Sequence, residues 1–220
     1  MWRFENCPAD QRVVLKACAL ALCVMFVAAM VAVSWVGYIT SDDRAYGEAA
    51  EGWLQHAPFL AGTHWGLRHF IVLPLAAANA VFGRGEFALA LPVFAYTAGL
   101  MVVMGLCVRH VAGTLAGILC PVLIASIPAI AVGATMAVTD NAEAFFVMAS
   151  YWVFYFACLS KRYRAFVFSG ALAGCGFLTR ETSVALLVPY AVLFTIGYGK
   201  RLNYIWMGIG FAVVVGADFW

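Results

Sequence analysis

Residues 13–39 read VVLKACALALCVMFVAAMVAVSWVGYI, an apolar stretch in which Lys16 carries the single charge. About 20 apolar residues are enough for a helix to cross the hydrocarbon core of a bilayer. The stretch is roughly twice as long as the apolar core of a signal peptide, and no small-x-small cleavage site ends it. These properties predict a permanent first transmembrane helix.

The composition extends this interpretation to the whole chain of 220 residues, of which 65% are hydrophobic and 11% are charged. Soluble domains have about 45–50% apolar and 25% charged residues, so much of this chain must face lipid. We predict an all-α, polytopic transmembrane bundle of about seven helices. It would form one domain over residues 1–220, as the N-terminal part of a longer chain. The candidate spans are residues 13–39, 87–108, 112–131, 142–159, 165–179, 182–198 and 203–220.

Charge and cysteine usage argue against several classes of protein. The net charge of +2 gives no indication of a nucleic-acid partner. The seven cysteines are irregularly spaced and include no C-x-x-C pair, which disfavours a zinc ribbon or a thioredoxin-like site. The surroundings that the composition does indicate are membrane lipids.

Residues 40–86 are mixed in character and are predicted to form the first outer loop, with amphipathic helices at the membrane interface. The polar face of the first such helix consists of side chains that recur every three or four residues: Arg44, Glu48, Glu51 and Gln55. Residues 69–83 are apolar but number only 15. They form either a short span or a second interfacial segment.

The distribution of lysine and arginine decides between these alternatives. If residues 69–83 do not cross, nine of the 13 basic residues lie on the cytoplasmic side and four outside; if they cross, the numbers are five and eight. The positive-inside rule favours the first arrangement. We therefore expect a multi-pass protein of the bacterial inner membrane, with its N-terminus in the cytoplasm. Most carboxylates then lie outside, so the active site is predicted on that face.

Three polar clusters fall on the predicted outer face: Ser41-Asp42-Asp43, Thr139-Asp140 and Thr179-Arg180-Glu181. Charges at membrane depth are costly, and they are functional candidates for that reason. A carboxylate near an arginine suits a substrate that loses a proton while its phosphate is held by the guanidinium.

Structural interpretations of the same residues stay open. Asp42 or Asp43 could cap the helix that follows, and Asp140 could cap a later helix in the same way. Arg180 could extend towards lipid headgroups without a further role. The spacing of three histidines matches no common metal-ligand pattern: His56, His64 and His69.

Family-like motifs follow one another over residues 35–195: Asp42-Asp43-Arg44-Ala45-Tyr46 with Glu48; His64-Trp65-Gly66-Leu67-Arg68-His69 with Phe82-Gly83; Thr139-Asp140; and Gly174-Cys175-Gly176-Phe177-Leu178-Thr179-Arg180-Glu181. In order and in predicted sidedness they resemble the GT-C glycosyltransferases. The nearest branch is that of the protein O-mannosyltransferases and aminoarabinose transferases. The family's Lys-Pro-Pro motif is absent, and Arg68 is the nearby residue that could replace its positive charge.

This resemblance implies inverting transfer of a sugar from a polyprenyl-phosphate donor to a lipid, glycan or protein acceptor outside the membrane. It implies that Asp42 acts as general base, that Asp43 and Asp140 assist it, and that Arg180 and Arg68 bind the donor phosphate. Further candidates on the outer face are Tyr46, Glu181 and His64. No cofactor or metal ligand is assigned, and a divalent metal is left open.

Two other classes of function are compatible with intramembrane charges. A transporter or flippase for a lipid-linked or anionic solute would use them, although such proteins commonly place charges at the bilayer midplane, in repeated halves. Here the charges lie at one face and no repeat is visible. An inactive fragment or partner subunit is the third alternative.

Overall fold

The computed structural model describes residues 9–39, 42–59 and 62–218. The chain is 82% helical, and no strand occurs among the described residues, so the all-α prediction is confirmed. A 3-10 helix, Glu181–Leu186, precedes α9. The α-helices are α1 Ala9–Val33, α2 Asp42–His56, α3 His69–Phe82, α4 Glu86–Ala112, α5 Thr114–Ala125, α6 Pro128–Gly133, α7 Asp140–Ser160, α8 Tyr163–Thr179, α9 Leu187–Thr195 and α10 Arg201–Asp218.

Among the described residues, two helices are long and apolar enough to cross a membrane by length and composition, namely α4 and α7. The number of about seven spans is therefore not confirmed. Two of the expected spans are interrupted. The span predicted at 112–131 is divided into α5 and α6, where Pro128 starts the second helix and cannot supply a backbone N–H. The span predicted at 182–198 consists of the 3-10 helix and the nine-residue α9.

Helices α7 and α8 run antiparallel and are joined by a buried hydroxyl pair. Ser150 donates to the carbonyl of Ser169 at 2.9 Å, and Ser169 donates to the carbonyl of Ser150 at the same distance. The hydroxyl of Tyr190 in α9 lies 2.8 Å from that of Ser150. These bonds fix three helices to one another and leave the start of α7 beside the end of α8.

Helices α8 and α10 run parallel and touch through their backbones. A Cβ atom at Gly170 would lie 1.8 Å from the carbonyl oxygen of Met207, and one at Gly210 would lie 1.9 Å from that of Val167. Small residues allow such close approach between helices in membranes. The packing places the end of α10 at the same end of the bundle as the end of α8.

The segment between α1 and α4 starts and ends at the same end of the bundle. Gly37, which follows α1, lies next to the carboxylate of Glu86 at the start of α4. The residues just before and just after α3 both contact α2. Arg84, after α3, forms an ion pair with Glu51 at 2.6 Å, and Arg68, before α3, donates a hydrogen bond to Tyr46. The apolar side of α2 packs on α3 in a core cluster that includes Tyr46, Ala49, Ala50, Ile71, Val72 and Leu75.

Candidate functional site

Asp43 is a buried carboxylate whose two oxygens are both bonded to backbone. Its side chain is 2% exposed, Oδ1 accepts a hydrogen bond from the N–H of Ala137 at 2.8 Å, and Oδ2 accepts one from Ile39 at 3.0 Å. The hydroxyl of Thr135 accepts a further bond from Val36 at 3.3 Å. Asp43 therefore connects the segment after α1 to the loop before α7.

Asp42 precedes Asp43 but has different surroundings. It is the first residue of α2, inside the helix's first turn, and is partly exposed. Its side chain forms no hydrogen bond or ion pair with any residue in the described parts of the chain. Ser41, the third member of this cluster, lies outside the described residues. Asp42 is thus partly exposed, and no described cation forms an ion pair with it.

Arg68 joins the first loop to the turn after α8. Its Nη1 donates to the hydroxyl of the fully buried Tyr46 at 2.5 Å, and its Nη2 lies 3.6 Å from Oε2 of Glu181. Thr139 lies beside the same hydroxyl. Burial raises the pKa of Tyr46 above its ordinary value, and the guanidinium of Arg68 opposes that rise. The phenol is therefore a neutral acceptor for Arg68 at physiological pH.

Arg180 follows α8 in an extended conformation, with φ −159° and ψ 130°. Its Nη1 forms an ion pair with Oδ1 of Asp140, and Oε2 of Glu143 lies 3.7 Å from the same nitrogen. The side chain of Arg180 is 37% exposed. Thr139 stands at the N-cap position of α7 without a side-chain cap bond, so Asp140 is the first helical residue and its oxygen faces Arg180.

Glu143 is the site residue that the sequence interpretation did not single out. Its Oε1 accepts hydrogen bonds from the hydroxyls of Thr182 at 2.8 Å and Ser183 at 2.9 Å. A signal was present, because residues three apart on a helix share a face and Glu143 comes three residues after Asp140. The start of α7 is itself fixed by Asn141, which donates to Thr97 of α4 at 2.9 Å.

The histidines have separate surroundings. The ring of His64 stacks on that of Trp65, with centroids 3.7 Å apart. Nδ1 of His69 lies 2.5 Å from Oδ1 of Asp218 at the end of α10, and both side chains are largely buried. His56 ends α2 and is exposed. Within the described residues, no group of three or more His, Cys, Asp and Glu side chains could hold a metal ion.

An apolar cavity of about 440 Å³ lies between α8, the 3-10 helix, α9 and α10. Its walls include Phe177, Leu187, Phe194 and Phe211. Ser183, whose hydroxyl donates to Glu143, also lines this cavity. The cavity therefore begins beside the charged site and extends among apolar side chains.

The residues predicted from sequence thus gather where α2 and α7 begin and α8 ends. Asp43 contacts Ala137, Tyr46 contacts Arg68, and the two arginines contact Glu181 and Asp140. Among the described residues, no hydrogen bond or ion pair joins Asp42 to Arg180, and His64 makes its ring contact with Trp65 without a hydrogen bond or ion pair. Accessible carboxylates, two guanidiniums and an apolar cavity are together suited to a phosphate on a lipid chain.

An all-α bundle with these groups at one end has the features of a membrane-integral glycosyltransferase, and comparison with known proteins identifies its family. The sequence model of the dolichyl-phosphate-mannose-protein mannosyltransferase family matches residues 71–220, which is more than half of the chain. The chain belongs to this family, and the predicted resemblance to GT-C glycosyltransferases is confirmed. No curated protein and no solved structure gives a significant match.

Proposed function

We propose that this protein transfers a sugar from a polyprenyl-phosphate donor to an acceptor at the end of the bundle where α2 and α7 begin. The observation that carries the proposal is the difference between two groups at that end. Asp42 is a partly exposed carboxylate without a hydrogen-bond or ion-pair partner among the described residues, and Arg180 is a partly exposed arginine held by two carboxylates. The first suits a base, and the second suits a phosphate.

In this mechanism Asp42 takes the proton from an acceptor hydroxyl. The acceptor oxygen then attacks the anomeric carbon from the face opposite the phosphate, and the bond between that carbon and the phosphate oxygen breaks. The configuration at the anomeric carbon is inverted, and polyprenyl phosphate leaves with the electron pair. Arg180 stabilises the negative charge on this leaving group, as preorganised charges in active sites commonly do.

The remaining site residues support these two groups. Asp43 has both oxygens engaged by backbone N–H groups, so we assign it to holding Asp42 in place. Asp140 balances the charge of Arg180 until a phosphate replaces it. Arg68, oriented by Tyr46 and Glu181, would provide the second positive charge. His64 stays a candidate for contacts with the acceptor.

The donor's polyprenyl chain requires an apolar path that starts near its phosphate. The cavity between α8, α9 and α10 meets this requirement, because Ser183 lines it and also bonds Glu143. The predicted sidedness would place the reaction outside a bacterial inner membrane, with the N-terminus in the cytoplasm, since the Lys/Arg distribution favours that orientation. The acceptor would be a lipid, a glycan or a protein.

The proposal is tested with membranes that contain the full-length protein and a radiolabelled polyprenyl-phosphate mannose. We expect label to move into an acceptor and free polyprenyl phosphate to appear. Membranes with the Asp42→Asn/Arg180→Ala variant are the matched control and should do neither. Movement of intact donor between leaflets, without cleavage, would contradict transfer and favour a flippase.

A further inference from the structure

Two carboxylates of α7 face the guanidinium of Arg180, but substrates have unequal access to them. The side chain of Asp140 is 66% exposed, whereas that of Glu143 is 17% exposed. A phosphate arriving from outside the bundle can therefore displace Asp140 from Arg180. Glu143 lies behind the guanidinium and is shielded from such an exchange.

Glu143 also holds the chain that follows Arg180. Its Oε1 accepts hydrogen bonds from Thr182 and Ser183, at 2.8 and 2.9 Å, while its Oε2 faces Arg180 at 3.7 Å. The carbonyl of Gly176 lies 3.0 Å from the same Ser183 hydroxyl and shares its single proton with Glu143. One side chain of α7 thus contacts Arg180 and two residues in the first turn of the 3-10 helix.

The backbone around this contact lies within van der Waals range of two neighbouring elements. A Cβ atom at Gly176 would lie 3.4 Å from Cβ of Phe146 and 3.5 Å from Oγ of Ser183. The end of α8, the start of α7 and the 3-10 helix are therefore closely packed at this point. A guanidinium held by a packed and hydrogen-bonded support loses less conformational freedom when it binds a ligand.

We propose that Glu143 is a positioning residue that holds Arg180 for the donor phosphate, a role that rests on the proposed function. When the phosphate binds, Arg180 releases Asp140 and keeps Glu143. The exposed carboxylate is the exchangeable partner of the guanidinium, and the buried carboxylate is the permanent one. Glu143 acts through Arg180 and does not itself contact the phosphate.

The test measures binding of undecaprenyl monophosphate, and of undecaprenol as a phosphate-free control, to the full-length protein in lipid nanodiscs by native mass spectrometry. Arg180→Ala should weaken phosphate binding about 10- to 100-fold, the range of one charge-assisted hydrogen bond. Glu143→Ala should weaken it about 10-fold. Glu143→Gln keeps an acceptor for both hydroxyls but loses the negative charge that faces Arg180, so its phosphate affinity should lie between those of wild type and Glu143→Ala. Undecaprenol binding should not change in any variant.

Two additional variants separate positioning from folding. Thr182→Val/Ser183→Ala removes the hydroxyls and leaves the carboxylate. This variant should reproduce most of the loss of phosphate binding, and it provides the test if Glu143→Ala folds poorly. Glu48→Ala, which removes an exposed carboxylate paired with Arg44 on α2, should have no effect.

A double-variant cycle decides the outcome. Because Glu143 acts through Arg180, Glu143→Ala/Arg180→Ala should bind no more weakly than Arg180→Ala alone. Losses that multiply in the double variant would overturn the positioning role, as would normal binding by both Glu143→Ala and Thr182→Val/Ser183→Ala. In either case a loss in Arg180→Ala leaves the proposed function standing. Normal phosphate binding by Arg180→Ala would instead remove the phosphate site of the proposed function.

Discussion

The starts of α2 and α7 lie at the same end of the bundle, and each carries one accessible and one buried carboxylate. At α2, Asp42 is accessible and Asp43 is buried; at α7, Asp140 is accessible and Glu143 is largely buried. The two buried groups have comparable tasks, because each accepts two hydrogen bonds and fixes a neighbouring segment.

The two accessible carboxylates differ in their partners. Asp140 is paired with Arg180, while Asp42 has no partner among the described residues. A carboxylate that is paired with a guanidinium is a weaker base for an incoming hydroxyl than an unpaired one. The comparison therefore assigns base chemistry to the start of α2 and phosphate binding to the region around the start of α7. The residue type alone does not make this distinction.

The largest effect is expected for Asp42→Asn, which keeps the shape of the side chain and removes its basicity. Loss of a general base typically lowers the rate about 10²- to 10⁴-fold. The expected result is a fall of that size in kcat for sugar transfer, with donor affinity nearly unchanged. If Asp42 served only to stabilise the first turn of α2, asparagine would replace it with little cost. Wild-type turnover in this variant would therefore remove Asp42 from the mechanism.

The next effect concerns Arg180. Removing its guanidinium should weaken donor binding about 10- to 100-fold, since charge-assisted hydrogen bonds contribute about 1.5–3 kcal/mol each. Arg180→Lys should recover part of the loss, because lysine restores the charge without the two-pronged geometry. The measurement is KM for the donor in the transfer assay. Arg164→Ala, on the first turn of α8 at the opposite end, is the control and should leave KM unchanged.

Asp43→Asn tests the structural half of the comparison. The amide has one accepting oxygen where the carboxylate has two, so one buried backbone N–H loses its partner at a cost of about 1–3 kcal/mol. Thermal unfolding in detergent should show this destabilisation, while kcat per folded molecule falls far less than in Asp42→Asn. The matched variant Asp140→Asn removes an exposed ion pair and should cost about 0–1 kcal/mol. Equal stability losses in both variants would contradict the difference in burial.

The smallest effect is expected at Tyr46, as a dependence of stability on pH. Burial raises the pKa of Tyr46 above its ordinary value of 10.0, so its contribution is complete below pH 10 and is lost as the pH rises through the folded-state value. Tyr46→Phe removes the buried hydroxyl, whose ionisation is unfavourable in the folded protein. The variant should lose about 1 kcal/mol near neutral pH and show a shallower decline in melting temperature above pH 10. If the melting temperatures of wild type and Tyr46→Phe fell in parallel above pH 10, ionisation of Tyr46 would not contribute to the loss of stability.

Much of the fold followed from periodicity and charge. The helical class, the helix at α2 and the pairing of polar clusters at helix ends were predictable, because Asp140 and Arg180 both fall where apolar runs stop. Which of Asp42 and Asp43 is buried could not be predicted from the sequence. Adjacent residues point about 100° apart on a helix, and the buried direction depends on Ala137, 94 residues away.

Other features also depended on distant contacts. His69 pairs with Asp218 across 149 residues, and nothing in the neighbourhood of either residue indicates the other. The break between α5 and α6 was within reach of the sequence, since Pro128 could have marked a new helix start. The 3-10 helix after Arg180 could not be predicted, because the hydrogen bonds that Thr182 and Ser183 donate to the distant Glu143 stabilise that conformation.

The central claim, that the start of α2 supplies the base and the region around the start of α7 holds the phosphate, is tested most directly by single-turnover transfer. Asp42→Asn and Asp140→Asn are compared side by side over a range of polyprenyl-phosphate mannose concentrations. The account predicts that Asp42→Asn stays slow at every donor concentration, whereas Asp140→Asn approaches the wild-type rate when donor is saturating. A slow Asp140→Asn variant at saturating donor, together with a fast Asp42→Asn variant, would contradict it.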